Sequence, residues 1–312
     1  MPGSIEGKTV LVTGAGGFVG PAVVDALVGG GAFVRALIGP PGQISPRFPS
    51  GVKIFTSDIG ELLSLCDFTS GCDVVVHMAG GASVSESFEK PVEYARAHVV
   101  GTATILEACR RTGINRIVYV SSAEVYGRPK TNPVKEDHPV QPRSPYAATK
   151  VGAEQFVEAF VHTAGMRAVV LRPFSIYGPG VSDRSLVGTI LKGALERDSI
   201  VLADLNPVRD FCYLDDFARA VVLASMRQTP GYSVMNIGTG QGTSVMELAK
   251  MVLEIMGRDI PIREDRGMRR PEHSEISELI ADPGRALDLL GWRSTVKLRS
   301  GLELLLRMRM VS

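Results

Sequence analysis

Residues 9–20 read TVLVTGAGGFVG, a short run of β-branched and aliphatic residues that ends in a glycine-rich turn. The apolar run predicts a buried strand from Thr9 to Thr13, bounded by turn residues and too short for a helix. Gly14, Gly17 and Gly20 follow where a strand hands over to a helix. The first suits a tight turn, the second lets backbone approach a pyrophosphate, and the third permits close contact between helix and strand. Pro21 fits the first helical turn, where no backbone donor is needed, and a helix N-terminus attracts anions. In a chain with 34 glycines an ordinary strand–helix turn is the competing reading. Position directly after an N-terminal strand and before a helix favours dinucleotide binding.

Outward from this turn, strands and helices alternate in the manner of parallel βαβ units. Expected elements are a helix over Pro21–Gly29 and strands at Ala32–Ile38, Lys53–Thr56 and Asp73–Met78. A helix over Val92–Thr112, a strand at Arg116–Ser121, a helix over Pro145–Thr163 and a final sheet strand at Ala168–Leu171 follow. After Ile176 the alternation stops, and Gly- and Pro-rich loops separate helices such as Asp215–Met226 and Ser244–Met256. The fold class expected is therefore α/β, a Rossmann-type doubly wound parallel sheet with a smaller C-terminal lobe. Residues 1–175 would form the dinucleotide-binding domain with the catalytic residues, and 176–312 mainly the substrate-binding lobe, with the chain free to cross back. The ligand crevice belongs between them, at the C-terminal ends of the strands.

Composition narrows the function classes. Of 312 residues, 45% are hydrophobic, and 34 Lys and Arg balance 33 Asp and Glu. A core is affordable at that size, and near-neutrality removes the electrostatic argument for nucleic acid or a membrane surface as partner. Cys66, Cys72, Cys109 and Cys212 lack metal-ligand spacing, so no metal is expected and the thiols read as reduced. A Cys66–Cys72 disulfide is the less favoured alternative. With no export segment in the opening residues and no membrane-length apolar run, a cytoplasmic location is expected.

The end of the second strand, Arg35-Ala36-Leu37-Ile38-Gly39-Pro40, offers neither an acid for the ribose hydroxyls of NAD nor a cation placed for the 2′-phosphate of NADP. NAD is the preferred cofactor, with NADP open. Asp58 reads either as an adenine contact or as a loop cap.

The chemistry is carried by SPYAATK, residues 144–150, and VYVSSAEVYG, residues 118–127. Tyr146 and Lys150, four apart, share one helix face. An ammonium beside a phenol favours phenolate, as does the positive nicotinamide ring of NAD, so the tyrosine pKa is expected to fall. Tyr146 can then take a hydroxyl proton while hydride leaves the same carbon. Ser121 and Ser122 sit where the preceding strand delivers a hydroxyl to the crevice, able to share a hydrogen bond with the substrate oxygen.

With these residues in order, the chain resembles the extended short-chain dehydrogenase/reductases of the NAD-dependent epimerase/dehydratase family, which act on nucleotide sugars. The likeness runs through TGAGGFVG, SDIG, DVVVHMAG, HVVGT, SSAEVYG, SPYAATK, LRPFSIYGPG, VRDFCYLDD, MNIGTG and ADPGRALDLLGW. It implies Ser122, four before the Tyr of VYG, as the catalytic hydroxyl, with Tyr146 as base and Lys150 as its partner. Cofactor contacts are implied at Gly14, Gly17, Phe18, Val19 and Gly20, at Asp58 and Ile59, at Met78, Ala79 and Gly80, at Tyr146 and Lys150, and at Pro173. Substrate contacts are implied at Ser83, Ser122, Glu124 and Ser175, and at Arg209 and Arg270, whose forked guanidinium groups match a diphosphate. A homodimer through the Val92–Thr112 and Pro145–Thr163 helices is implied as well. Asp215 and Asp216 read as helix caps.

Two positions depart from the family, which commonly has Asn at His98 and at Ser175. His98 on an apolar helix face reads as a satisfied core histidine, and Ser175 leaves room for another sugar or water. The resemblance leaves the reaction open. Glu124 matches the glutamate of 4,6-dehydratases and nucleotide-glucuronate decarboxylases, yet Ala123 stands where many dehydratases carry an acid. A nucleotide-sugar 4-epimerase working through a transient 4-keto sugar is preferred, a dehydratase or decarboxylase using Glu124 is the alternative, and an NADP-dependent carbonyl reductase is a third.

Overall fold

The period of two along each strand decides which side of the sheet each side chain covers. In the computed structural model, which describes residues 4–39, 46–268 and 271–311, strand β1 (Thr9–Thr13) sends Val10 and Val12 into one core and Leu11 into another. The same division holds where Val74 and Val76 face one side and Val75 the other, and where Val118 opposes Ile117 and Tyr119. Burial of each such aliphatic side chain contributes about 1.5–3 kcal/mol, so a sheet covered on both faces is the cheapest way to hide these runs.

After β1 come α1 (Gly20–Gly29), β2 (Phe33–Ile38), β3 (Lys53–Thr56), α2 (Leu62–Thr69), β4 (Val74–His77), α3 (Val84–Glu89) and α4 (Pro91–Ala95). A π-helical turn at Arg96–Val100 leads into α5 (Gly101–Thr112), followed by β5 (Arg116–Val120), α6 (Pro145–Ala164) and β6 (Arg167–Pro173). Beyond lie β7 (Ser175–Tyr177), α7 (Leu186–Glu196), β8 (Ile200–Leu202), β9 (Val208–Tyr213), α8 (Leu214–Met226) and β10 (Tyr232–Ile237). The last elements are β11 (Gly242–Ser244), α9 (Val245–Met256), β12 (Ile262–Glu264), β13 (Glu278–Leu279), α10 (Gly284–Leu290) and α11 (Leu298–Val311).

The main sheet has seven parallel strands in the order β3-β2-β1-β4-β5-β6-β10. Strand order reverses between β1 and β4, and an open α/β sheet opens its ligand crevice there, beyond the carboxyl ends of the strands. The sheet does not end at β6, as the sequence predicts. Tyr232–Ile237 adds a seventh strand, hidden in the sequence by Ser233 and Asn236, which interrupt its apolar pattern and are both buried. The expected continuous helix over Val92–Thr112 is likewise broken into α4, the π-turn and α5. The four cysteines are free thiols. No described helix is long and apolar enough to cross a membrane.

In the second lobe β9 pairs with β7, β11 and β13, and β8 pairs with β12, around a core that includes Ile190, Leu191, Leu248 and Leu302. Helix α8 returns to the main sheet, where Phe217, Ala220 and Val221 join the core that holds Val23 and Leu27 of α1. Asp216 does not cap α8, whose N-cap is Tyr213. Its buried carboxylate accepts hydrogen bonds from Ser294 Oγ, Thr295 N and Val296 N at 2.9–3.0 Å, fastening the C-terminal segment, while Trp292 Nε1 donates to its carbonyl at 2.8 Å.

Helix α6 begins at Pro145 behind Ser144, whose Oγ accepts from Ala147 N at 3.1 Å. Tyr146, Lys150 and Glu154 then fall four apart on the face that packs inward, which drives the Glu154 carboxylate into the interior. Arg172 of β6 meets it with two hydrogen bonds, Nε to Oε1 at 3.0 Å and Nη2 to Oε2 at 2.6 Å, and Ser121 Oγ donates to Oε1. The guanidinium carbon of Arg172 stands 4.8 Å from the ring centre of Tyr126, whose hydroxyl donates to Asn236 Oδ1 at 2.7 Å. Removing one partner of such a buried pair strands a charge. Arg172→Met is expected to lower stability by about 3–5 kcal/mol in urea unfolding, and the double change Glu154→Leu with Arg172→Met to recover part of the loss; an unchanged midpoint in Arg172→Met would show that the pair is not coupled to folding.

Candidate active site

The glycine turn and the end of β4 form one surface. Gly14 has φ +71°, and a Cβ on it would lie 2.8 Å from the Ala79 amide nitrogen, so the turn packs directly on Met78 and Ala79. A Cβ on Gly20 would overlap the Ala15 carbonyl, whereas one on Gly17 would approach only Gly14 O, at 3.3 Å. Gly14 and Gly20 thus serve the protein's own packing, and Gly17 leaves the turn open to a ligand's backbone-close approach. Thr13 Oγ1 accepts from the Met78 and Ala79 amides, both at 3.3 Å, and meets His77 Nδ1 at 2.7 Å, while His77 Nε2 reaches Thr102 Oγ1 at 3.0 Å. Burial, reinforced by the charge of Lys150, pushes His77 down to about 3, so it stays neutral.

Around this surface, Phe18 packs against the core of the second lobe and Val19 against the core of the main sheet. Ile59 lies under the start of α5, where a Cβ on Gly101 would come within 2.7 Å of it, and Pro173 ends β6 opposite Ile237. Asp58 is exposed, and its Oδ1 accepts from Gly60 N at 2.7 Å, the loop-cap geometry. Arg35 is tied to the neighbouring helix. Its Nη1 donates to Phe68 O at 2.9 Å and Ser70 O at 2.8 Å, at the C-terminus of α2. An open glycine turn at the start of α1, with Arg35 engaged at the end of α2, fits a dinucleotide lacking the 2′-phosphate.

At the end of β5 the two serines part company. Ser121 belongs to the Glu154–Arg172 pair, whereas Ser122 Oγ accepts from Glu124 N at 3.2 Å and bonds to the phenol of Tyr146. Burial pushes Tyr146 up to about 12; the Ser122 hydroxyl pulls the other way, and the Glu124 carboxylate and Tyr94 push further up. Lys150 is depressed to about 8 by burial, held back by Glu154, and its Nζ donates to Val120 O at 3.0 Å. That amine lies 5.9 Å from the ring centre of Tyr146 and 5.3 Å from that of Tyr119. The expected lowering of the tyrosine therefore does not arise from the chain alone. Spacing of four puts Lys150 and Tyr146 on one face, but burial weakens the cation and its amine is engaged by the Val120 carbonyl.

His98 is not the satisfied core histidine its helix position suggests. Nδ1 meets Thr149 Oγ1 at 2.8 Å, but Nε2, buried beside the Gly81 backbone, makes no hydrogen bond of normal geometry. Burial above all, then the charges of Lys150 and His77, push it to about 2. Tyr94, unremarked in the sequence because it falls within a helical apolar pattern, stands edge-on to both His98 and Tyr146. Its hydroxyl donates to Glu86 Oε2 at 3.1 Å and accepts from Ser83 N at 3.2 Å. Ser83 itself caps α3, accepting from Glu86 N at 3.1 Å.

In the second lobe, Ser175 opens β7, half-buried beside β9. Arg209 of β9 donates from Nη2 to Glu275 Oε1 at 3.2 Å and from Nη1 to Val208 O at 3.0 Å. Glu275, in a segment without a motif, also lines a cavity of about 390 Å³ with Arg128, Asp204, Asn206, Pro207 and Ser277. Arg269 and Arg270 lie outside the described residues.

A lysine whose folded pKa lies below its unfolded value weakens folding below about pH 8, and the cost vanishes as pH rises toward 10.5. Lys150→Met is accordingly expected to raise stability by about 1–2 kcal/mol at pH 7 and by less at pH 10, measured by chemical unfolding at both values. A variant less stable than the parent at pH 7 would contradict the burial cost.

A family model described as the NAD dependent epimerase/dehydratase family matches residues 10–238. The UDP-glucose 4-epimerase of Azospirillum brasilense is 33% identical over 304 residues, covering 91% of this chain and 86% of that protein. Among solved structures, MoeE5 in complex with UDP-glucose and NAD superimposes with a TM-score of 0.87 at 31% identity, over 97% of this chain and all of that one. TunA, described as an NAD-dependent NDP-hexosamine 5,6-dehydratase, does so with a TM-score of 0.88 at 31% identity, over 98% of each chain. With a matching model over most of its length and these likenesses in sequence and fold, the chain belongs to the NAD-dependent epimerase/dehydratase family of extended short-chain dehydrogenase/reductases.

Proposed function

We propose that the chain is an NAD-dependent nucleotide-sugar 4-epimerase that works through a transient 4-keto sugar. The observation that carries this reading is the convergence of Ser122 and Tyr146 at the end of β5, with Lys150 on the next turn of the same helix. The likeness to 4-epimerases supports it. Bound NAD would take hydride from carbon 4 and return it. The glycine turn, Met78–Gly80 and the Lys150 amine are the groups placed to hold it.

Tyr146 removes the proton from the carbon 4 hydroxyl and later gives it back. Left to the chain alone the phenol stays protonated, at about 12, so the base forms only once positive charge is brought against it. Ser122 Oγ accepts from Glu124 N–H and keeps its single proton to donate to the substrate oxygen. Arg209 offers its fork to the diphosphate, whose oxygens would compete with Glu275 for it. Exposed Val92, Val100 and Phe156 on α4, the π-turn and α6 support pairing of two copies through these helices.

Incubation with UDP-, dTDP-, GDP- and CDP-sugars and sugar acids, read by NMR, is expected to yield a 4-epimer from at least one. Tyr146→Phe should lower its turnover about 10²–10⁴-fold with circular dichroism unchanged; full activity in that variant overturns the mechanism.

Glu124 sustains a second reading. It is half-buried and its carboxylate raises the pKa of the Tyr146 phenol, which supports a role as base in a dehydratase, the class of activity described for TunA. Turnover in deuterated water separates the two. A 4-epimer of unchanged mass with no deuterium at carbon 5 is expected, and a product that has lost water, with or without deuterium at carbon 5, whose formation disappears in Glu124→Gln would establish the dehydratase.

A further inference from the structure

The π-helical turn at Arg96–Val100 delivers His98 into the site with the whole side chain buried. Single π-turns set into α-helices recur at functional sites, and this one accounts for the break in the helix predicted over Val92–Thr112. The imidazole touches three neighbours of the proposed oxidation step, Tyr146, Gly80 and Thr149. Its ring stands edge-on to Tyr146, centroids 5.6 Å apart at 72°. On the far side it fills the space a Cβ on Gly80 would need, pressing against the loop that follows Ala79. Through Nδ1 it reaches Thr149, the residue before Lys150.

The direction of that last bond follows from proton counting. Thr149 Oγ1 lies 2.8 Å from the Tyr146 carbonyl oxygen, which can only accept, so the hydroxyl proton points there. The 2.8 Å contact with His98 is then made by Nδ1–H donating to Thr149 Oγ1. A continuous link results: imidazole, threonine hydroxyl, and the backbone carbonyl of the tyrosine itself. None of these groups exchanges a proton with substrate in the mechanism above.

We propose that His98 is a positioning residue for Tyr146, holding the first turn of α6 through Nδ1–H and Thr149. The inference rests on the oxidation step of the proposed function, not on which product follows it.

Three replacements divide the roles of the ring. The amide of His98→Asn reaches where Nδ1 sits, that of His98→Gln reaches where Nε2 sits, and His98→Phe keeps the ring without either nitrogen. With whichever nucleotide sugar the parent consumes, His98→Asn is expected to keep kcat within about threefold, whereas His98→Gln and His98→Phe lose about tenfold with KM unchanged. Thr149→Val should reproduce that loss, and combining it with His98→Gln should add nothing further, since both remove one link. Thermal unfolding establishes that each variant is folded, and Thr149→Val carries the test if His98→Phe is not. Parent kcat in all variants, a change in KM alone, equal loss in Asn and Phe, or additive losses in the double variant would overturn the inference. Product identity in the same samples tests the 4-epimerase reading separately: a dehydrated product overturns that reading and leaves the kcat ratios to judge His98.

Discussion

A carboxylate in the interior is the constraint around which the rest is arranged. Helix α6 must turn Tyr146 and Lys150 toward the sheet, and the same periodicity carries Glu154 in with them. An unpaired carboxylate there would cost several kcal/mol. The chain answers with Arg172 from β6 and Ser121 from the end of β5, so the group that threatens the core also locks the helix to both strands beneath it. Committing Ser121 inward leaves Ser122 for the phenol. Arg172 stacks on Tyr126, Tyr126 bonds Asn236, and Asn236 Nδ2 donates to Val134 O at 2.8 Å, so the loop after β5 is held from a distant strand.

The site is short of net charge for one that handles ions. His77 and His98 are held neutral by burial, Tyr146 is held protonated, and Lys150 is weakened. Among these buried groups a charge that does enter is screened less than in water. The arrangement suits a cofactor that brings its own positive charge, since such a charge beside the phenol would favour its ionised form.

Much of the main sheet was legible in the sequence because its signals are local. The strand before Gly14, the helix after Gly20 and the four-residue spacing of Tyr146 and Lys150 depend on neighbours along the chain. Features that depend on distant partners were not. Tyr232–Ile237 reads poorly as a strand because Ser233 and Asn236 are buried polar residues whose partners lie far away or in turns. The π-turn changes only hydrogen-bond register, which leaves no compositional mark. Periodicity places Lys150 beside Tyr146 but says nothing of the Val120 carbonyl that captures its amine. Arg209 is recognisable by motif, whereas Glu275, which pairs with it from 66 residues away, is not. Asp216 looks like a helix cap because its true partners, residues 294–296, come almost eighty positions later.

Strand β10 also imposes an order of events on a chain emerging from the ribosome. The strands β1 to β6 can pair as they appear, each next to one already made. The loop that carries Ser122 and Glu124, however, is braced through Tyr126 by Asn236, which is synthesised more than a hundred residues later. A nascent chain can therefore form its glycine turn long before the loop after β5 gains this brace, which arrives late, with the strand that closes the sheet.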